Sequence, residues 1–349
     1  MKILIEALHG LGDTVCMLPM IRLVRKTYPE AYIVVLLKFP AAGDIIKSSG
    51  IKVDQLLYLD IYKNIGYSIS LLRRLRQMHF DYGISSAVTP VKKANMFMKA
   101  IHPGRHIGLQ TKGKFFDTLG DTCHFVEANL QAVKEICPFP EGKQYPVMHP
   151  DRLTVSGLQI KIGLVDSTRK VVGVCIGDAD PSLKNRLLRT GKVYTRSWGI
   201  QNMTGLINKL QKENVTIILI GGKGEMHLLD YVRAHVKMDD HVINMVGKTS
   251  LKESIALVSL CDVVFGVDTG MQHIAAAVGT KTVSVFGPTN PNTHGPYSEM
   301  AHFCMNRNVC PLQFCYGTKY YVNCPYGRVC MSSISVDEVY DRIMKPLNE

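Results

Sequence analysis

The sequence predicts an α/β protein made of two doubly wound parallel sheets. Short apolar runs recur along the whole chain, and most lead into a glycine-bearing or polar turn followed by apolar residues at helical spacing. Runs such as Ala31 to Leu37 and Val215 to Gly221 are apolar almost without interruption, as expected of strands covered on both faces. With 349 residues the chain exceeds one ordinary core and suits two domains. Strand–turn–helix units in series imply right-handed parallel crossovers.

In the first half, Ile3 to Ala7 reads as a strand that runs into a turn at Gly10. Thr14 to Thr27 carries Val15, Leu18, Ile21, Leu23 and Val24 at helical spacing, with Pro19 expected in its first turn or two. Ala31 to Leu37, Gln55 to Leu59 and Tyr82 to Ser85 supply further strands, and Ile69 to Gln77 a helix. The Gly- and Lys-rich stretch from Gln110 to Phe125 lacks periodicity and is expected to form a mobile loop over a cleft. Between Pro146 and Ser167 the pattern weakens, which places the linker near its end and the domains at 1–165 and 166–349.

The second half restarts with the strand Val171 to Ile176, then a polar loop and the helix Gln201 to Lys212. Val215 to Gly221, Val263 to Val267 and Thr282 to Phe286 read as strands, and Leu251 to Ser259 and His273 to Val278 as helices. A Cys-rich segment, 304–330, and a terminal helix close the chain. In such folds ligands sit beyond the carboxyl ends of the strands.

A hydrophobic content of 46% against 20% charged residues excludes a disordered chain. No apolar run approaches the ~20 residues that a bilayer crossing needs. Met1-Lys2-Ile3-Leu4-Ile5 leads straight to the Gly10 turn without a cleavage-type site, so it reads as a strand and not a signal peptide, and the expected location is the cytoplasm. The formal charge of +12 comes in small groups, among them Arg73, Arg74 and Arg76; Lys92 and Lys93; and Lys184, Arg186, Arg189, Lys192 and Arg196. Such a surface suits an acidic lipid or a phosphorylated glycan. Without a long basic block or a nucleic-acid motif, nucleic acid is the weakest partner.

Three loops could carry chemistry. In Gly10-Leu11-Gly12-Asp13-Thr14, two glycines allow a tight turn and close approach to a ligand, but the third glycine of a dinucleotide fingerprint is replaced by Val15. Asp13 has two readings: a helix-capping acid, which spacing alone favours, or a general base. Gly221-Gly222-Lys223-Gly224-Glu225 follows a buried strand and suits a ribose or phosphate, with Glu225 as an acceptor for ribose hydroxyls. Asp268-Thr269-Gly270 ends another strand at a helix start, where free amides favour a diphosphate, and His273 lies one turn further on. A second turn, Gly287-Pro288-Thr289-Asn290-Pro291, follows the next strand.

The run from Val267 to Ala277, with Phe286 to Pro291 and Gly295-Pro296-Tyr297, resembles the C-terminal signature of glycosyltransferase family 9, the ADP-heptose:lipopolysaccharide heptosyltransferases and their relatives. Gly10-Leu11-Gly12-Asp13 with Leu18-Pro19 is similar to the start of the same family. The resemblance implies a GT-B architecture, two Rossmann-like domains facing across a cleft, and inverting transfer from a nucleotide sugar. It implies that Asp13 is the general base, overriding the capping preference, with Gly10 and Gly12 on the acceptor-side loop. It implies donor contacts for Gly222, Glu225, Asp268, Thr269, Gly270 and His273. Arg196-Ser197-Trp198 aligns with a basic-x-Trp motif in which lysine is usual, so Arg196 keeps the charge but changes its geometry. The expected partners are a nucleotide sugar such as ADP-heptose, an anionic glycolipid or glycan acceptor and the inner-membrane surface, with no cofactor required for chemistry. Asp178-Ala179-Asp180 has the letters of a metal motif but little weight.

Of ten cysteines, Cys16, Cys123, Cys137, Cys175 and Cys261 are scattered and read as small core residues. Cys310, Cys315, Cys324 and Cys330 are crowded in a turn-rich tail like that of some family members, and comparable cysteines bind iron in the autotransporter heptosyltransferases. A structural zinc or iron remote from the reacting groups and a set of packed free thiols both stay open here. Competing functions are a protein heptosyltransferase of the autotransporter type, a nucleotide-sugar 2-epimerase and a non-catalytic binder.

Overall fold

The computed structural model describes residues 1–59, 64–108, 123–165, 167–177, 195–321 and 324–349. The mobile-loop expectation falls largely on residues 109–122, and Asp178-Ala179-Asp180 with the basic residues of 184–192 falls within 178–194; both lie outside the described residues.

The chain divides into two compact units, Met1–His149 and Pro150–Glu349. The division falls ahead of the 165/166 boundary read from the sequence. The intervening helix Arg152–Lys161 is capped by the Asp151 carboxylate, which also meets Lys252 Nζ of the second unit at 3.2 Å.

The first unit is a five-stranded parallel sheet in the order β3-β2-β1-β4-β5. Its strands are β1 Lys2–Ala7, β2 Tyr32–Leu37, β3 Gln55–Tyr58, β4 Tyr82–Ser85 and β5 Arg105–Ile107. Helices α1 Leu11–Thr27, α2 Ala42–Ser48, α3 Ile65–Gln77, α4 Val91–Ile101 and α5 Phe125–Ala132 connect and follow them. Five of six residues in both β1 and β2 are buried, the continuous burial expected of strands covered on both faces. Helix α1 starts at Leu11, three residues before the expected Thr14, so Pro19 lies in its interior and not in its first turns.

The second unit is a six-stranded parallel sheet, β11-β10-β9-β6-β7-β8, the 3-2-1-4-5-6 order of a doubly wound dinucleotide fold. Its strands are β6 Lys170–Cys175, β7 Val215–Ile220, β8 Val242–Asn244, β9 Val263–Val267, β10 Lys281–Val285 and β11 Ala301–Cys304. In chain order its helices are α6 Arg152–Lys161, α7 Ile200–Leu210, α8 Met226–His235, α9 Leu251–Val258, α10 Gly270–Ala277, α11 Pro291–His294, α12 Val329–Ser332 and α13 Val336–Asn348. Phe265 on β9 is fully buried, and Trp198 packs edge-on against it at 5.6 Å between ring centroids. The fold class read from the sequence, two Rossmann-like parallel sheets of GT-B type, is the one observed.

Gly266, next to the end of β9, has no room for a side chain: a Cβ there would lie 2.6 Å from Gln272 Nε2 and 3.0 Å from Cys175 Cβ. Gln272 cannot retreat, being fully buried and accepting from Ser284 Oγ at 2.9 Å. Gly266→Ala is expected to destabilise the second unit by about 1–3 kcal/mol, the usual cost of overpacking, read as a lower urea midpoint.

Candidate active site

In each sheet the strand order reverses beside its first strand, and the polar side chains collect there. In the first unit this point lies between β1 and β4. Gly10 forms the N-cap of α1 in an extended conformation, and its N–H donates to Asp13 Oδ2 at 3.3 Å. Asp13 is therefore the third residue of α1, half-buried, and performs the capping role that spacing favoured. That bond uses one carboxylate oxygen and fixes the direction of the other. The geometry is compatible with the general-base role.

Behind the turn lies a network that the sequence reading missed. Glu6 on β1 is 2% exposed and accepts from Leu8 N–H at 3.1 Å and from Thr89 Oγ1 at 2.7 Å. His9 Nε2 lies 2.6 Å from the same Thr89 oxygen and 3.7 Å from Glu6 Oε1. Thr89 has a single hydroxyl proton and gives it to Glu6, so it must accept from His9, which fixes the Nε2–H form of the imidazole. His9 Nδ1 has no hydrogen bond to a described residue. Nearby, burial lowers the pKa of His106, opposed by the Glu6 charge, and its Nε2 lies 2.8 Å from Ser85 Oγ. The available signal was a lone acid in the apolar strand Ile3-Leu4-Ile5-Glu6-Ala7.

In the second unit the reversal lies between β6 and β9. Asp268, just past β9, is 6% exposed. Its Oδ2 accepts from Thr289 Oγ1 at 2.6 Å and from Arg196 Nη1 at 3.1 Å, and its carbonyl accepts from the same nitrogen at 3.3 Å. Asp268 thereby joins the turns after β9 and β10 to the loop before α7, work that is internal to the protein. Thr269 is the N-cap of α10, and its Oγ1 is buried with no partner among the described residues. Gly270 opens α10, and His273 follows as its fourth residue, 8% exposed. A buried, unbonded hydroxyl beside the free amides of a helix start suits an anionic oxygen.

Gly222 and Glu225 repeat the arrangement of Gly10 and Asp13: the Gly222 N–H donates to Glu225 Oε2 at 2.7 Å at the start of a 3₁₀ turn, Lys223–Glu225. Glu225 packs over the backbone of Gly177 at the end of β6, where any Cβ would collide with it. Asp268, Thr269, Gly270, His273, Arg196, Gly222, Gly177 and Glu225 thus all belong to the carboxyl edge of one sheet.

Cys16, Cys123, Cys137, Cys175 and Cys261 are buried and form no disulfide, and desolvation pushes Cys175 up to about 12. Burial, with the neighbouring thiols adding to it, raises Cys315 and Cys330 to about 11. Cys310, Cys315 and Cys324 all act on Cys330, so the four thiols are neighbours. Among the described residues no three His, Cys, Asp or Glu groups converge on a point that could hold a metal. Cys324 Sγ instead accepts from the Arg328 N–H at 3.4 Å. The four thiols are neighbours without converging on one point among the described residues, so their placement does not form the closed ligand set of a structural zinc or iron site.

Two doubly wound parallel-sheet units are the GT-B class of architecture, and in the second unit a buried hydroxyl stands at a helix start. The family model described as "Glycosyltransferase family 9 (heptosyltransferase)" matches residues 181–320. The chain is 21% identical to lipooligosaccharide heptosyltransferase 2 of Campylobacter jejuni, covering 90% of this chain and 92% of the relative. The similarity to the Haemophilus influenzae lipooligosaccharide heptosyltransferase 2, at 28%, spans only 31% of that protein. Among solved structures, E. coli ADP-heptose lipopolysaccharide heptosyltransferase II matches with a TM-score of 0.73 at 18% identity, covering 100% of this chain and 99% of that one. A family 9 glycosyltransferase from Veillonella parvula matches with a TM-score of 0.78 at 18% identity, covering 99% and 97%.

The proton logic around Glu6 predicts that the imidazole nitrogens of His9 report the Nε2–H form in a long-range ¹⁵N–¹H spectrum at alkaline pH. Thr89→Val, which removes the intervening acceptor, should shift that ring towards a mixture of the two neutral forms.

Proposed function

We propose that the protein moves heptose with inversion from ADP-heptose to a lipopolysaccharide-core or related glycan acceptor. The observation that carries this reading is the buried Thr269 hydroxyl at the start of α10, without a partner among the described residues and set within a loop braced by Asp268 and Arg196. The relatives named above are heptosyltransferases, and one solved neighbour is an ADP-heptose enzyme.

In this reading the second unit holds the donor. Thr269, Gly270 and the first amides of α10 receive the diphosphate, and Arg196 contributes positive charge at the same edge. The leaving diphosphate is stabilised by amide dipoles and a guanidinium that are fixed before reaction, so little reorganisation accompanies charge development. His273 contacts the sugar and diphosphate, and Glu225 receives ribose hydroxyls. The first unit supplies the base: Asp13 takes the proton of an acceptor hydroxyl as that oxygen bonds to the anomeric carbon and the bond to the diphosphate breaks. Gly10 and Gly12 let the acceptor approach the backbone of that turn. The basic residues of α3 and α4, Arg73, Arg74, Arg76, Lys92 and Lys93, are exposed and suit an anionic acceptor or an acidic membrane surface. No helix among the described residues is long and apolar enough to cross a membrane.

The deciding experiment incubates the purified protein with ADP-heptose and heptose-deficient lipopolysaccharide-core oligosaccharide and follows heptose incorporation by mass spectrometry. Absence of transfer, with turnover of another nucleotide sugar, rejects the heptose assignment. Asp13→Asn should lower kcat by about 10²–10⁴-fold, the usual contribution of a general base, while ADP binding measured by calorimetry stays within a factor of two or so. Thr269→Val should separate stability from binding. Removing a buried hydroxyl that has no partner among the described residues should stabilise the ligand-free protein by about 1 kcal/mol in urea titration, while ADP affinity falls.

A further inference from the structure

The cysteine-rich segment, expected to lie remote from chemistry, reaches the donor edge of the second unit. Its Tyr321 hydroxyl accepts from Arg196 Nε at 2.8 Å. The rings of Tyr316 and Tyr321 stand at 89° to each other with centroids 5.0 Å apart, and the Arg196 guanidinium carbon lies 5.1 Å from one centroid and 5.7 Å from the other. Both rings are within cation–π range of the charge. The segment is itself tied on both sides. The Thr195 hydroxyl donates to the Tyr321 carbonyl, the Tyr316 N–H donates to the Pro288 carbonyl at 2.9 Å, and Arg328 Nη1 donates to the Ser197 carbonyl at 2.8 Å. It therefore straps the loop before α7 to the turn after β10, with Arg196 held between them.

We infer that Tyr321, supported by Tyr316, is a positioning residue of the donor site: it orients Arg196 so that the guanidinium braces the Asp268-Thr269-Gly270 loop for a nucleoside diphosphate. The inference rests on the glycosyltransferase reading above. It accounts for arginine at the position where lysine is usual. A lysine offers one ammonium to Asp268 and nothing along its stem to a second partner, whereas arginine donates from Nη1 to Asp268 and from Nε to Tyr321 at once. The planar fork is then fixed in direction at both ends, and the sites that receive it lie on different chain segments.

The test is calorimetric titration of ADP into the full chain, using wild type, Tyr321→Phe, Arg196→Lys and the double variant, each checked for folding by thermal melting. Tyr321→Phe keeps the ring and removes one charge-assisted hydrogen bond, so ADP affinity should fall by about tenfold with the melting transition nearly unmoved. In the Arg196→Lys background, which lacks Nε, the same change should cost less than about twofold. In steady-state assays Tyr321→Phe should raise the donor KM more than it lowers kcat. Equal ADP affinity in wild type and Tyr321→Phe overturns the inference, as do losses that multiply in the double variant. Wild type that fails to bind ADP at all overturns the donor-site reading itself, and the inference with it.

Discussion

The carboxylate of Asp268 is the joint on which the carboxyl edge of the second unit depends. A buried charge is tolerated only when its acceptor sites are filled, and here one oxygen receives both the Thr289 hydroxyl and the Arg196 guanidinium. Those two donors sit on different turns, so filling the carboxylate fixes the turns after β9 and β10 and the loop before α7 relative to one another. Trp198, two residues beyond Arg196, is anchored independently: its ring packs on Phe265 and its N–H donates to the Ile334 carbonyl at 2.9 Å. With the aspartate and its partners satisfied inside the protein, Thr269 is the member of the turn whose buried hydroxyl has no partner among the described residues.

The acids of the two candidate loops share a device. Asp13 and Glu225 each lie three residues after a glycine in extended conformation and each accept that glycine's N–H. At Gly10 the backbone has φ −72° and ψ 175°, a conformation open to any residue, and an added Cβ would come 3.5 Å from the Asp13 carboxylate, ordinary contact. Neither conformation nor space requires glycine there. At Gly177 the requirement is space, since Glu225 packs directly on that backbone. Capping and function are compatible in such a carboxylate. One oxygen bonded to the backbone fixes the rotamer, and the rotamer determines where the second oxygen points.

The strands and most of the helices that carry these loops were legible because burial on both faces leaves near-continuous apolar runs, as in Val34 to Leu37 and Val215 to Ile220. The strands Arg105–Ile107, Val242–Asn244 and Ala301–Cys304 were not, because each is only partly buried and interrupts its few apolar residues with a polar one such as His106, Asn244 or His302. The start of α1 was placed late because Gly12 and Asp13 read as turn residues, although both lie inside the helix. The division of the chain was placed late for a different reason: the helix Arg152–Lys161 has a single buried residue, Leu158, so its attachment to the second unit leaves little trace in hydrophobic pattern. Loop acids and glycines could be found from spacing. Tyr316, Tyr321 and His9 could not, since what gives them meaning is a partner 120 or 80 residues away.

The two units share one topology and differ in the charge they gather at its carboxyl edge. The first collects Asp13 and the chain from His9 through Thr89 to Glu6, in which a buried carboxylate sets the form of an imidazole and leaves His9 Nδ1 as an acceptor in addition to the Asp13 carboxylate. Such an edge suits a ligand that donates protons, as the hydroxyls of a glycan do. The second collects a guanidinium, an unfilled hydroxyl and a helix start, a set of donors that suits a ligand rich in acceptor oxygens, as a diphosphate is. A group transfer from a phosphorylated donor to a hydroxyl needs one edge of each kind, because the proton must leave on one side while negative charge develops on the other.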